Sequence, residues 1–251
     1  MALRRFFAYI FFFFLISGLF SCKKDSPKGE MQQGMISLSF DDTFINNWYN
    51  NLPLLDSLGI KATFYISSYH TLNLQQKNKL RLIETHGNEI AYHTTNHKDL
   101  LKLNRSDGMN AIIEREISPD LKLMRNDGFN PVNFAYPFGQ HDPYLDSQLL
   151  PYFKSVRGVS NPNYYTCFAS HTGAKQVFYA IEIDSRSKLS DERIQNLMRL
   201  ALENNNCAFF YGHAINDSSR NFQVTSERLR FMASVAKMYN LRFIKVSEIS
   251  Y

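Results

Sequence analysis

Five polar side chains, far apart in the 251-residue sequence, are of the types that metal-assisted hydrolysis uses. Asp41 and Asp42 close the apolar run Met35 to Phe40. His93 and His97 bracket His93-Thr94-Thr95-Asn96-His97. His213 follows the apolar run Ala208 to Gly212. Two imidazoles and a carboxylate can hold a divalent ion and leave one coordination position open. One Asp and one His remain, the least needed for a general base and a general acid. The spacing of His93 and His97 suits two ligands on one turn, and two adjacent carboxylates can divide labour between metal and proton. Each piece alone has a plainer reading: Asp favours strand exits, two histidines can simply be packed, and His213 can simply cap a strand. No Glu follows His93, so the helical zinc-protease signature is not met. No Cys-x-x-Cys pair offers thiolates. Tyr136-Pro137-Phe138-Gly139 is either a plain turn or a source of aromatic walls and of backbone N–H donors for an oxyanion. Trp48, Tyr164 and Tyr165 are weaker candidates for sugar stacking. His70, His86, His141 and His171 lack partner spacing.

These residues need a scaffold that gathers them. Apolar, β-rich runs at Met35–Phe40, Ala62–Ile66, Glu89–Tyr92, Val132–Ala135, Val156–Val159, Val177–Ile183, Ala208–Tyr211 and Arg242–Val246 predict strands. Between them, amphipathic stretches predict helices over Asn46–Leu58, Leu74–Thr85, Met109–Asn126, Asp191–Glu203 and Thr225–Tyr239, with Pro119 a point of kinking or splitting. Alternating strands and helices imply a parallel sheet. Seven or eight such units in one α/β domain favour closure into a barrel, whose strand C-termini lie on one face. Asp41, Asp42, His93, the Tyr136 turn and His213 all follow strands, so that face would collect them.

The ends and composition bound the rest. Arg4 and Arg5 precede an apolar run from Phe6 to Phe20, which reads as a secretory signal over residues 1–21. Leu19-Phe20-Ser21-Cys22 resembles the lipobox of bacterial lipoproteins, which implies lipidation at Cys22, a polar tether over 22–34 and a lipid-anchored place in the cell envelope. The remaining domain, 35–251, shows no internal boundary. A net charge of +5 with scattered basic residues gives no case for nucleic acid. Cys167 and Cys207 are left either as a disulfide or as free buried thiols.

Taken in order, the motifs resemble the NodB-homology polysaccharide deacetylases, carbohydrate esterase family 4. Ser39-Phe40-Asp41-Asp42, Gly87-Asn88-Glu89-Ile90-Ala91-Tyr92-His93-Thr94-Thr95-Asn96-His97, Ala135-Tyr136-Pro137-Phe138-Gly139 and Tyr211-Gly212-His213 stand where that family has its signature segments. The resemblance implies an irregular (β/α) barrel of about seven units. It implies Asp41 as general base, His213 as general acid, one divalent metal such as zinc on Asp42, His93 and His97, and the Phe138 N–H in an oxyanion hole. Tyr136, Pro137 and Phe138 would border the substrate, an acetylated amino-sugar polymer or oligosaccharide. Acetylated xylan, or sugar binding without turnover, is the alternative. The chain departs from the pattern at Ala135, where many members carry an Arg that positions the base. Arg157 and Arg186 are the candidates to replace it. A fourth motif survives only as a remnant at Glu182-Ile183-Asp184-Ser185-Arg186.

Overall fold

A computed structural model describes residues 34–160, 166–170, 177–218 and 221–249. The expected signal, tether and Cys22, with Tyr164, Tyr165 and His171, lie outside the described residues. Seven parallel strands form a closed cycle: β1 (Met35–Asp42), β2 (Thr63–Ile66), β3 (Glu89–Tyr92), β4 (Asn133–Ala135), β5 (Ser155–Val159), β7 (Val177–Glu182) and β8 (Asn206–Gly212), which pairs back onto β1. Short β6 (Phe168–Ser170) lies antiparallel on β8. A two-stranded ribbon joins β9 (Ala214–Ile215) to β10 (Gln223–Val224), and β11 (Arg242–Ile244) flanks the first half of β1. The expected barrel is thus present, with its seven units.

Alternation sorts the side chains. Along β1, Ile36, Leu38 and Phe40 join the large outer core against the helices, while Ser37, Ser39 and Asp41 turn into the barrel. The interior holds a second apolar cluster that includes Phe178, Phe209 and Tyr211, and a smaller one of Tyr65, Ala91 and Ala135.

The helices are α1 (Ile45–Asn50), α2 (Leu52–Ser57), α3 (Leu74–Thr85), α4 (Leu100–Ile112), α5 (Ser118–Asn126), α6 (Pro143–Leu149), α7 (Asp191–Glu203) and α8 (Ser226–Met238). The single helix expected over 46–58 is two. Pro53, in the first turn of α2, has no N–H to donate to the turn before it. α4 starts at Leu100, where the Asp99 side chain accepts the Lys102 N–H and caps the end, and it breaks at Gly108 (φ 81°, ψ 173°), so that a helical stretch opens at Met109 as expected. It then passes through a π turn, Ile113–Ile117, before Pro119 opens α5. Among the described residues no helix is long and apolar enough to cross a membrane.

Candidate active site at the C-terminal mouth of the barrel

Asp42 ends β1 with its backbone at φ 84°, a left-handed conformation that swings its carboxylate across the strand end. There Oδ1 lies 3.1 Å from His97 Nε2 and 3.6 Å from His93 Nε2. His93, just past β3, places Nδ1 2.7 Å from the Ala135 carbonyl, an arrangement that fixes the proton on Nδ1 and leaves Nε2 a lone pair. Burial pulls the His93 pKa down to about 4 against the pull of Asp41 and Asp42, so the imidazole is neutral near pH 7. Burial raises the Asp42 carboxyl, but the close His97 imidazole and the charges of His93 and His213 outweigh it and bring it to about 2.

The donor set fits a divalent cation. The three ligand-type atoms lie within 4.8 Å of one another, all oxygen or imidazole nitrogen. Asp42 Oδ1 is buried and accepts no well-formed hydrogen bond among the described residues, while facing the lone pair of a neutral His93. A cation between them would satisfy both.

The loop carrying His93 and His97 is held from below. A π turn releases carbonyls from the helical pattern. The Glu116 carbonyl takes the Thr95 N–H and the Tyr92 hydroxyl, and the Glu116 carboxylate takes the Asn96 N–H and side-chain amide. Thr94 Oγ1 accepts the His97 N–H. Thr94 and His97 both have positive φ, as do Asp42, Phe138 and Phe222, so five of the nine described non-glycine residues in that conformation ring this mouth.

Asp41 points into the barrel. Its Oδ2 meets Arg157 Nη2 at 2.5 Å, and its Oδ1 is buried without a hydrogen bond among the described residues. Arg157 is 1 % exposed and lies over the rings of Tyr211 and Tyr65 at 4.7 and 5.2 Å. In register it sits directly beside Ala135, whose methyl leaves the space a guanidinium needs. Arg157, not Arg186, therefore reaches Asp41. Arg186 pairs with Glu182 at the rim.

His213 leaves β8 with Nδ1 2.5 Å from Asp184 Oδ2, and its backbone N–H donates to Asp184 Oδ1. Its carbonyl accepts the Trp48 indole N–H at 2.8 Å, so Trp48 is a buried brace and not a surface platform. A side chain at Gly212 would strike Val224 at 2.3 Å and approach Asp184 Oδ1 at 3.1 Å, and this close approach seats Asp184 under the imidazole. Burial lowers the His213 pKa, but the Asp184 hydrogen bond and the charges of Asp41, Asp184 and Asp42 lift it above its usual value. Its Nε2 stands 3.9 Å from Asp42 Oδ2. Glu182, Asp184 and His213 form a second group of ligand-type atoms, but Nδ1 there is already engaged with Asp184.

In the turn after β4, Tyr136 and Pro137 are buried. The Tyr136 hydroxyl donates to Asp146, so only the Phe138 ring, 62 % exposed, borders the mouth, 4.9 Å from the His97 ring. Gly139, at φ 69°, could bear no side chain, because Val159 would lie 2.4 Å from it. Cys167 and Cys207 are free and buried, the first with its thiol pushed up to about 12 by burial. Asp184 and Phe222 were not singled out by motif. For Asp184 the signal was present in the remnant around Glu182, whereas for Phe222 there was none.

Residues 28–150 match the family described as polysaccharide deacetylase, a span that holds Asp41, Asp42, His93, His97 and Phe138 and stops short of Arg157, Asp184 and His213. A curated relative, a probable peptidoglycan-N-acetylglucosamine deacetylase of Arthroderma benhamiae, is 27 % identical over 115 residues, 45 % of this chain but 25 % of that protein. Among solved structures, the Xyl-CE4 domain of a multidomain xylanase from the hindgut metagenome of Trinervitermes trinervoides superposes with a TM-score of 0.59 at 17 % identity, over 86 % of this chain and 89 % of that one. A family 4 carbohydrate esterase from Streptomyces lividans gives 0.59 at 16 %, over 86 % and 94 %. The peptidoglycan deacetylase PdaC from Bacillus subtilis gives 0.52 at 17 %, over 86 % and 90 %.

Proposed function

The chain belongs to the polysaccharide deacetylases of carbohydrate esterase family 4, and from that premise we propose that it is a metal-dependent hydrolase removing N-acetyl groups from an amino-sugar polysaccharide or oligosaccharide at the cell envelope. The observation that carries this reading is the convergence of Asp42, His93 and His97 on one point, with Asp41 held by Arg157 and His213 held by Asp184 beside it.

Asp42, His93 and His97 would hold the ion, with zinc the best match to the donor set. A bound divalent ion polarises the acetyl carbonyl and makes water acidic near neutral pH. Asp41 Oδ1, without a hydrogen bond among the described residues while Arg157 fixes Oδ2, takes the proton of the attacking water. The Phe138 N–H donates to the oxygen on which negative charge develops. His213 gives the Nε2 proton to the departing nitrogen as the C–N bond breaks, and Asp184 on Nδ1 sets the tautomer and supports the imidazolium. A C–O bond has formed, and the products are acetate and a free amino sugar. An O-acetyl ester would need the same groups, with oxygen as the leaving atom.

Support for a base and an acid, beyond a metal site, speaks against a chain that only binds sugar. Acetate release from N-acetylchitooligosaccharides, acetylated xylan and peptidoglycan, before and after chelation and zinc restoration, tests the reading. Chelator-sensitive release from an N-acetylated substrate is the expected result, and release from xylan alone would make the chain an esterase. For location, the Cys22 motif motivates lipid anchoring. Cys22→Ser should move the protein out of the membrane fraction, and unchanged mass and fractionation would rule the anchor out.

A further inference from the structure

The two surface rings beside the site have the same unusual construction. Phe138 and Phe222 each hold a bulky side chain on left-handed backbone, at φ 60° and 62°, and each keeps its ring in solvent, 62 % and 42 % exposed. For a residue with a Cβ this conformation is unfavourable, and exposure of an aromatic ring forgoes burial. Both are retained at the mouth, on opposite flanks: Phe138 against His97, and Phe222 5.1 Å from His213 with the rings at 84°. Phe222 is also fixed by its surroundings. It precedes β10 and its carbonyl accepts the Ala214 N–H. The Arg186 guanidinium lies 3.9 Å over its ring and is itself tied to Glu182 Oε1 at 2.5 Å. With its charge met by Glu182, Arg186 backs the ring and does not offer a free cation to a ligand.

The chemistry tells the two flanks apart. His213 protonates the leaving atom, so the ring that carries that atom lies within a bond or two of His213. The acetyl half lies toward the Phe138 turn. Among the described residues, the exposed ring packed against His213 is Phe222. We propose that Phe222, backed by Arg186, is the wall against which the pyranose ring bearing the leaving nitrogen stacks, so that it selects a cyclic sugar over an acyclic acetyl compound. The apolar face of a pyranose matches a flat, fixed aromatic surface, and a prefixed ring loses little freedom on binding. This assignment rests on the hydrolase reading above.

The test compares zinc-loaded wild type, Phe222→Ala, Phe222→Tyr and Arg186→Gln on an N-acetylchitooligosaccharide and on triacetin, which has the acetyl group but no ring. In Phe222→Ala, kcat/KM for the oligosaccharide should fall about tenfold further than that for triacetin, mainly through KM, as loss of one stacked ring implies. Phe222→Tyr should keep the wild-type ratio, and Arg186→Gln should fall between. Equal falls on both substrates would make Phe222 a support for His213 and overturn the wall. Calorimetric titration with the oligosaccharide gives a reading independent of turnover: equal affinity in wild type and Phe222→Ala also overturns it. Wild type that cleaves triacetin but no acetylated sugar overturns the proposed function instead.

Discussion

The barrel buries carboxylates at both ends and treats them oppositely. At the N-terminal end, Glu89 accepts from the Thr63 hydroxyl and Ser247 N–H at 2.9 Å on one oxygen and from the Asn133 amide at 2.5 Å on the other. Asn133 in turn accepts from Ser155, and Thr63 accepts the Val246 N–H. At the C-terminal end, Asp41 Oδ1, Asp42 Oδ1 and two nitrogens of Arg157 are buried with no hydrogen-bond partner among the described residues. Buried polar atoms are normally paired, and leaving them otherwise is destabilising. The closed end spends its polar groups on one another, and the open end holds them in reserve for a cation, a water and a substrate.

The largest effect should come from emptying the reserve. His93→Ala with His97→Ala should abolish zinc binding by elemental analysis and reduce acetate release to background. Retained metal at near one per chain would break the contrast. Next, Asp41→Asn should lose about 10²–10⁴ in kcat. It should also destabilise the fold by roughly 3–5 kcal/mol, since it strands the Arg157 cation in the interior. Adding Arg157→Met should restore much of the melting temperature and none of the rate. Recovery of rate would show that Asp41 is structural only.

Lesions at the closed end should read out in stability alone. Glu89→Ala leaves three donors unpaired and should cost roughly 3 kcal/mol, with kcat/KM unchanged. Burial lifts the Glu89 pKa above its ordinary 4.5 despite its hydrogen bonds. Just above pH 4.5 the unfolded chain therefore loses this proton before the folded one does, and stability declines as pH rises toward the folded value. Glu89→Gln should flatten that decline in urea titrations.

The smallest change, and the finest test of the open end, is a shift in pH. His213 must be protonated to act, and its raised pKa keeps it so above pH 6.5. Activity should fall as pH rises through the His213 pKa. Asp184→Asn removes the first group that lifts it, so that limb should move to lower pH with zinc retained. An unmoved limb would remove Asp184 from the proton path.

The candidate ligand triad and the barrel were legible in the sequence because both are local: apolar runs end in Asp or His, and strand ends share a face. What was not legible depends on neighbours. Arg157 could be nominated but not chosen, because its claim rests on standing in register beside Ala135, a pairing across 22 residues. Phe222 carries no motif, and its place follows from the ribbon that β9 and β10 build after His213. The Ala135 carbonyl orients His93 from a neighbouring strand, and Asn96 and Thr95 tie the loop to Glu116, contacts that no spacing announces. Pro119 marked the split that opens α5, whereas the break at Pro53 escaped because a periodic apolar pattern reads straight through it.

The pairing of β1 with β8 also sets an order of events for the folding chain. Met35 to Phe40 finds its long partner only in Cys207 to Gly212. Contacts so distant along the chain slow folding, because a large loop must be closed before they form. Until those residues arrive, that edge of β1 is unpaired. Asp42, His93 and His97 all lie in the first part of the domain and come together across adjacent strands β1, β2 and β3. His213 directly follows the closing strand. The β1–β3 part of the barrel therefore contains every expected metal ligand but not the acid, so a cation bound there would stabilise the first part of the domain apart from the closing strand that leads to His213.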